Sequence, residues 1–343
     1  MDAVHGTRQD PGEDFFFIVG SGRSGTTLLQ ALLSSHPRLK VPPETHFIKR
    51  ATNSGAARRA EPDDFDAFWN GIVGWSRFLD LGIDPDAVRA LIERDGDRSF
   101  RNIFAAILKT YGTANGAERV GEKTPSHCQH VPRLLAWYPE ARILFIRRDP
   151  RAVVASQLPT PWITEQLRPA SPLASFSRRM RLSHVAERAR LWQLANGHFL
   201  SGCIRDPRVH LVDYETLVTA PDETLRAVCA FLDEDFHPEM LAGREAPTPT
   251  ASGDGQDAFQ EWRRSHRAAA RRPVTSAGLH KWRESLSPLE IAMIESLCED
   301  GMRTGGYVPE SGGASRRKGA VAAALCLAGL KVEDRIRGIG EQY

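Results

Sequence analysis

The chain has 343 residues, of which 41% are hydrophobic and 26% charged, and this ordinary globular composition excludes a mostly disordered protein. Its 45 basic and 43 acidic residues give a net charge of +2, which argues against nucleic-acid binding through bulk charge. Any anion site must therefore be built from a few placed residues. The five cysteines include no CxxC pair, so a disulfide scaffold and a zinc cluster are both disfavoured.

The location and source of the protein are also indicated by the composition. No apolar stretch reaches the roughly twenty residues that a membrane span needs, and the first fourteen residues lack the pattern of a secretory signal. We therefore expect a cytoplasmic protein with no membrane span. Arginine greatly outnumbers lysine, and alanine, glycine and proline are plentiful, which we interpret as a bacterial coding bias. The sequence specifies no oligomeric state.

Strands and helices alternate along the chain, and this alternation predicts an α/β fold with a parallel sheet. Apolar runs bounded by turn residues predict strands, and helical spacing of apolar residues predicts helices. The strands are expected at 15–19, 143–146 and 209–212, and the helices at 26–35, 86–94, 100–111, 131–138, from 150, at 174–202 and at 224–232.

The organisation predicted from these elements is one domain over residues 1–310. It carries a helical insertion at about 50–115 and a lid-like loop at about 243–278, which is rich in Gly, Pro, Ser and Thr and then in Arg. A solvated helix face is the alternative interpretation of that arginine run. Residues 311–343 are expected to form a basic linker, with Arg316, Arg317 and Lys318, followed by a helix.

The first motif with a chemical meaning is GSGRSGTT, Gly20 to Thr27, between the first strand and the first helix. Its glycines let the backbone wrap an oxyanion, and the free N–H groups of the helix start point at that anion. The spacing matches a Walker A loop, but Thr26 stands where that loop has its lysine, which argues against an ordinary kinase or NTPase. The residues expected to bind the anion are Gly22, Arg23, Ser24, Gly25, Thr26 and Thr27.

The stretch from the first strand through Arg-Ser-Gly-Thr-Thr, Leu-Leu and His-Pro to Pro-Glu-Thr-His resembles the start of sulfotransferases that use 3'-phosphoadenosine 5'-phosphosulfate (PAPS). It is similar above all to the tyrosylprotein sulfotransferases and their bacterial relatives. The resemblance implies a P-loop-like sulfotransferase fold, a central parallel sheet flanked by helices. It also implies PAPS as the donor, adenosine 3',5'-bisphosphate as the product, no metal, and a hydroxyl-bearing acceptor: a small molecule, a carbohydrate, a lipid or a peptide tyrosine.

The same resemblance makes Glu44 the general base for the acceptor hydroxyl. The family has an arginine two residues after this glutamate, whereas His46 stands here, so the acceptor stays open and His46 is a rival base. A third interpretation is that Glu44 only caps a helix beginning at Thr45. Arg23, within the loop, is expected to stabilise the transferring sulfonate.

The second motif is ARILFIRRDPRAVVAS, Ala141 to Ser156, in which a strand ends in cations and a helix begins at an Asp-Pro cap. The carboxyl edge of an open parallel sheet is where such folds bind ligands. The pattern resembles the sulfotransferase 3'-phosphate site, an arginine and a serine eight residues apart. It assigns Arg148 and Ser156 to that phosphate, with Arg147 as the rival of Arg148.

Three further residues are candidates through the resemblance. Lys123, in GEKTP, would neutralise the leaving phosphate, Tyr214, in VDYETL, would lie near the adenine, and Lys281, in GLHKW, would bind phosphate in a closing segment. Histidines 127 and 130 have the spacing of metal ligands, but no acidic or cysteine partner repeats it, so no metal is expected. Two other functions stay open: a divergent P-loop kinase, and a nucleotide-binding regulatory module that has lost catalysis.

Overall fold

The computed structural model describes residues 14–52, 60–160, 163, 174–242, 265, 268 and 273–337. The strands in these residues form one sheet in the order β2-β3-β1-β4-β5, and every neighbouring pair is parallel. The central parallel sheet expected from the sequence is thereby confirmed. The strands are β1 Phe16–Gly20, β2 Leu39–Lys40, β3 Arg119–Lys123, β4 Arg142–Arg147 and β5 Val209–Asp213.

Helices surround the sheet. In the first half of the chain they are α1 Thr26–Ser34, α2 Phe47–Ala51, α3 Phe65–Val73, α4 Ser76–Leu79, α5 Pro85–Asp95, α6 Phe100–Ala114, α7 Val131–Trp137 and α8 Pro150–Gln157. In the second half they are α9 Ala174–Gln193, α10 Leu200–Cys203, α11 Tyr214–Thr219, α12 Pro221–Phe231, α13 Glu239–Ala242, α14 Trp282–Ser285, α15 Pro288–Leu297, α16 Glu299–Thr304 and α17 Gly313–Arg337.

The central strand β1 explains the layering of the molecule. All of its residues are buried, as expected for a strand of a parallel sheet that helices cover on both faces. Because side chains alternate along a strand, Phe17 and Val19 point to one face and Phe16 and Ile18 to the other. The first face packs against α2 to α7, so the helices at 65–114 share the core of the sheet. The second face packs against α1 and α12.

A third apolar cluster lies beside the sheet. It joins α8 and α9 to α14, α15 and α17, with Trp192 and Met293 fully buried at its centre. Trp192 also donates its indole N–H to the carbonyl oxygen of Arg148, 2.9 Å away. This cluster therefore supports the turn between β4 and α8, which carries candidate site residues.

Two expectations from the sequence differ from the structure, and a third is not tested by it. The strands β2 and β3 were not predicted. β2 has only two residues, and β3 contains charged residues, so it lacks the apolar run that indicates a buried strand. The basic run at 316–318 is not a linker, because α17 already begins at Gly313 and buries Ala323 in the third cluster. The lid-like loop predicted at 243–278 lies almost entirely outside the described residues. Within the part of the chain that the structure describes, no helix is long and apolar enough to cross a bilayer.

The packing of α17 on α15 generates a stability prediction. A Cβ added at Gly319 would lie 2.5 Å from the backbone of Ala292, whereas one added at Gly313 meets nothing within 4 Å. We expect Gly319→Ala to lower the free energy of unfolding by about 1–3 kcal/mol through overpacking, and Gly313→Ala to be neutral or slightly stabilising. Urea denaturation of the two variants measures the difference. Equal midpoints would contradict close packing of these helices.

Candidate active site

The parallel sheet brings four strand ends to one edge. Ile18 of β1 aligns with Lys123 of β3, Gly20 aligns with Ile146 of β4, and Arg147 aligns with Asp213 of β5. The loop after β1, the turn before α8 and the start of α11 therefore all lie at the carboxyl edge of the sheet. That edge is the ordinary ligand site of open α/β folds.

The loop between β1 and α1 is shaped by two glycines. Gly20 has φ 151°, and a Cβ there would lie 2.3 Å from the carbonyl oxygen of Ile146. Gly25 is the N-cap of α1 with φ 100°, and a Cβ there would lie 2.3 Å from the Tyr214 ring. Between them, Arg23 has φ 73°, a left-handed conformation that costs a non-glycine residue about 1 kcal/mol or more. The loop thus holds strained backbone at the start of a helix.

Two arginines meet beside this loop. The Arg23 Nε donates to Ser156 Oγ at 3.0 Å, and Arg148 Nη1 donates to the carbonyl oxygen of Arg23 at 3.3 Å. The Arg148 guanidinium also stacks over the Tyr214 ring, 4.2 Å from its centroid. Burial, together with the charge of Arg148, lowers the pKa of Arg23 to about 10. Two cations held this close favour an anion between them.

Several buried polar atoms at the loop have no hydrogen-bond partner among the described residues. They are Ser24 Oγ, Arg148 Nε and Gln157 Oε1. The other amide atom of Gln157, Nε2, donates to the carbonyl oxygen of Gly22 at 2.9 Å. Buried polar atoms are nearly always paired, so these atoms fit a ligand rich in acceptors and donors. A phosphate group beside the two arginines meets that requirement.

A continuous chain of contacts runs from the loop to Glu44. Lys123 Nζ lies 3.4 Å from Thr27 Oγ1 and 2.5 Å from Glu44 Oε1. The other carboxylate oxygen of Glu44 lies 3.1 Å from His46 Nε2. The Lys123 side chain is only 4% exposed, whereas that of Glu44 is 27% exposed. The cation is therefore enclosed, and the carboxylate retains access from solvent.

The electrostatic state of Glu44 follows from these contacts. Burial alone would raise its pKa, but the charge of Lys123 and the hydrogen bond from His46 lower it well below the ordinary value. Glu44 is therefore ionised at neutral pH. Glu44 is not a helix cap: α2 begins at Phe47, and its N-cap is His46, whose φ of 48° lies in the left-handed region.

Of the remaining residues predicted for the site, two belong to the loop or to the helix that follows it, and two are placed elsewhere. Thr26 is buried in the first turn of α1, and Gly22 lies within the loop. Arg147 is engaged elsewhere, because it donates to Asp213 Oδ1 at 2.8 and 3.0 Å, which leaves Arg148 as the arginine at the loop. Lys281 is exposed at the start of α14, and no described residue forms an ion pair with its side chain.

The structure adds residues that the sequence reasoning did not select. Glu122 is fully buried and accepts hydrogen bonds from Thr45, Thr124 and His127. The available signal was a carboxylate within a buried strand, directly before Lys123. His127 therefore has a protein partner. Within the described ranges, no group of three or more His, Cys, Asp or Glu side chains could hold a metal ion.

Comparison with known proteins identifies the family. Residues 16–238 match the model of the sulfotransferase family, which is more than half of the chain. The chain therefore belongs to the sulfotransferase family, and the family predicted from the sequence is confirmed.

Individual relatives are distant. The nodulation protein NoeE of Sinorhizobium fredii is 26% identical over 286 residues, which are 82% of this chain and 62% of that protein. Protein-tyrosine sulfotransferase A of Caenorhabditis elegans is 24% identical over 304 residues, 87% of this chain and 68% of that protein. The chain thus spans less than two thirds of the length of NoeE.

Solved structures confirm the predicted P-loop-like sulfotransferase fold. The sulfotransferase domain of the Synechococcus olefin synthase superposes with a TM-score of 0.52 at 22% identity, covering 86% of this chain and 94% of that domain. The sulfotransferase domain of the curacin biosynthetic pathway gives a TM-score of 0.52 at 20% identity, covering 85% of this chain and 97% of that domain.

The Lys123–Glu44 pair generates a prediction about protonation. Lys123→Met removes the cation that stabilises the ionised carboxylate, so the pKa of Glu44 should rise. In the wild type, the depressed pKa adds stability above the ordinary value of 4.5, and this stability is lost as the pH falls. A carboxyl titration by NMR measures the pKa. As the pH is lowered from about 5.5 to 4, the midpoint of urea unfolding should fall less steeply in the variant than in the wild type.

The matched control is Lys49→Met, which removes an exposed lysine from α2. It should leave the titration of Glu44 unchanged. A Glu44 pKa that is the same in Lys123→Met as in the wild type would show that the ion pair does not form in solution.

Proposed function

We propose that this enzyme transfers a sulfuryl group from PAPS to the hydroxyl of an acceptor. The observation that carries the proposal is the contact chain Thr27–Lys123–Glu44, which joins an anion-binding loop to an ionised, partly exposed carboxylate. Sulfuryl transfer needs these two elements side by side: cations for the leaving phosphate, and a base for the attacking hydroxyl. Its requirements resemble those of phosphoryl transfer.

The donor site is assigned to the loop and its neighbours. The loop residues Gly22 to Thr27 would hold the 5'-phosphosulfate through backbone N–H groups and hydroxyls. Arg148 and Ser156 would bind the 3'-phosphate, and the Tyr214 ring, already stacked on Arg148, would lie near the adenine. The buried unpaired atoms Ser24 Oγ and Arg148 Nε support this assignment. Lys281, exposed at the start of α14, would contact a phosphate of the donor from the closing segment.

The transfer step uses three side chains. The acceptor oxygen forms a bond to sulfur while the bond from sulfur to the phosphate oxygen breaks, and the electron pair of that bond leaves with adenosine 3',5'-bisphosphate. Glu44 takes the acceptor proton. Arg23 and Lys123 neutralise the charge on the transferring and leaving groups. As the Lys123 ammonium turns toward the leaving oxygen, its hold on Glu44 weakens, and the proton affinity of the carboxylate rises.

The acceptor is proposed only as a hydroxyl compound. Five relatives among those compared carry the name protein-tyrosine sulfotransferase, but this chain has His46 beside the base where that branch has arginine. A panel of tyrosine peptides, carbohydrates, lipids and small phenols, tested with labelled PAPS, would identify the class. The proposed compartment is the cytoplasm, which fits five cysteines that are all free thiols.

The alternatives are separated by ligand binding. A divergent kinase would bind ATP and turn it over with Mg²⁺, although the loop lacks the Walker lysine. A regulatory module would bind adenosine 3',5'-bisphosphate without any turnover across the acceptor panel. Thermal-shift measurements with adenosine 3',5'-bisphosphate, ATP and GTP should show stabilisation by the first nucleotide alone.

Recognition of the 3'-phosphate generates the next prediction. A charge-assisted contact to phosphate is worth roughly 1.5–3 kcal/mol, so adenosine 3',5'-bisphosphate should bind at least ~10-fold tighter than 5'-AMP. Arg148→Ala should remove most of this preference in titration calorimetry. The control Arg226→Ala, an exposed arginine paired with Asp222, should keep it. Equal affinity of the wild type for the two nucleotides would reject the assignment.

The identity of the base generates a further prediction. Glu44→Gln keeps size and hydrogen bonding but removes the proton acceptor, so transfer should fall by at least ~100-fold while adenosine 3',5'-bisphosphate binds normally. His46→Gln should cost much less, because it removes a partner of the base and leaves the base in place. Single-turnover rates with an active acceptor measure both. A larger loss in His46→Gln would make His46 the base.

A further inference from the structure

A buried carboxylate lies directly behind the segment that carries Glu44. The Glu122 side chain is fully buried, and its Oε1 accepts hydrogen bonds from Thr45 Oγ1 at 2.8 Å and Thr124 Oγ1 at 2.6 Å. Its Oε2 lies 3.0 Å from His127 Nδ1, and since a carboxylate only accepts, this ring nitrogen carries the proton. Both oxygens of Glu122 are therefore satisfied within the protein.

These hydrogen bonds fix the backbone of the segment as well as its side chains. The amide of Thr45 lies 3.4 Å from Glu122 Oε1, and the amide of His46 donates to Thr124 Oγ1 at 3.2 Å. The amide of Phe47 donates to Thr45 Oγ1 at 3.3 Å. Three consecutive amides thus bond to Glu122 or to hydroxyls that it holds.

Glu122 and Lys123 contact different residues of the segment because they are neighbours on β3. Successive side chains of β3 point to opposite faces, so Lys123 reaches Glu44 while Glu122 reaches Thr45, the next residue of the segment. Two adjacent strand residues therefore hold two adjacent loop residues. This arrangement fixes the position of the Glu44 carboxylate and the direction in which the Glu44 side chain extends from the backbone.

Burying the Glu122 carboxylate costs solvation free energy, and packing alone does not require a carboxylate at this position. Taking a carboxylate out of water is expensive, and an apolar residue often serves stability equally well at such a position. His46 also adopts a left-handed φ of 48°, which needs surrounding structure to maintain it. The Glu122 network supplies that constraint. Burial opposes ionisation of Glu122, but His127 and the two hydroxyls lower its pKa, so it stays a charged acceptor.

We propose that Glu122 is a positioning residue for sulfuryl transfer, holding Glu44 against the acceptor hydroxyl through Thr45, Thr124 and the backbone of His46. The inference rests on the proposed role of Glu44 as the base. Glu122 itself is fully buried, so it acts only through the segment that it holds.

The first test is kinetic. Glu122→Gln keeps the shape of the side chain but places an amide N–H₂ against a donor, so one hydrogen bond is lost. We expect kcat to fall ~10- to 100-fold, with KM for the acceptor and the affinity for adenosine 3',5'-bisphosphate within about twofold of the wild type. Combined with Glu44→Gln, the second substitution should add almost nothing, because both act on one group. Additive losses would overturn the inference.

A second variant guards against a folding defect. Thr45→Val removes one donor to Glu122 and keeps the branched shape, and it should lower kcat ~3- to 10-fold with the same unchanged nucleotide affinity. The matched control is Glu290→Gln. Glu290 is another buried carboxylate, in the first turn of α15, and it accepts from Arg181 and Ser287. It should lower the melting temperature without changing kcat. A control that slows transfer as much as Glu122→Gln would overturn the inference.

The final test does not depend on activity. Hydrogen exchange of the Thr45 and His46 amides should be at least ~10-fold faster in Glu122→Gln, while the amides of the loop at 20–27 keep their rates. Unchanged exchange at 45 and 46 would overturn the inference. If exchange increases as expected but Glu44→Gln transfers sulfuryl at the full rate, the network holds the segment, and it is the proposed role of Glu44 that fails.

Discussion

The ion pair between Lys123 and Glu44, with 2.5 Å between its atoms, is the interaction on which the proposed chemistry depends. It links the two halves of the proposed site, because Lys123 also touches Thr27 of the glycine-rich loop between β1 and α1. Its geometry is set by the sheet: Lys123 is the last residue of β3, and β3 is held in register with β1 beside the loop. The Lys123 side chain is almost fully enclosed, and a buried ionic group needs a partner of opposite charge, which Glu44 supplies.

The donor side of the site is built on a second electrostatic constraint. Arg23 and Arg148 approach each other at the carboxyl edge of the sheet, and each is fastened by a neutral group, Ser156 Oγ or a backbone carbonyl. The fold therefore places two guanidinium groups where the backbone N–H groups of α1 also point, and an anion with several oxygens is a ligand that suits them.

The sequence alone predicted those features whose causes are local. The buried run at Phe16, the glycines of the loop and the Asp149 cap each depend on neighbouring residues, and the structure has them where they were expected. The family resemblance also placed Arg148 ahead of Arg147, and the structure shows Arg147 bound to Asp213. Local patterns failed at β2, which is too short to show a period, and at β3, in which buried charged residues replace an apolar run.

The sequence determined the class of fold, the glycine-rich loop after β1 and the family, because apolar periodicity and turn chemistry act over a few residues. Only the tertiary structure decided which side chains meet. Arg23 pairs with Ser156, 133 positions away, and Glu122 holds Thr45 across 77 positions. Such contacts depend on the register of β3 and β4 against β1, which is set by the whole packed sheet and by no single segment.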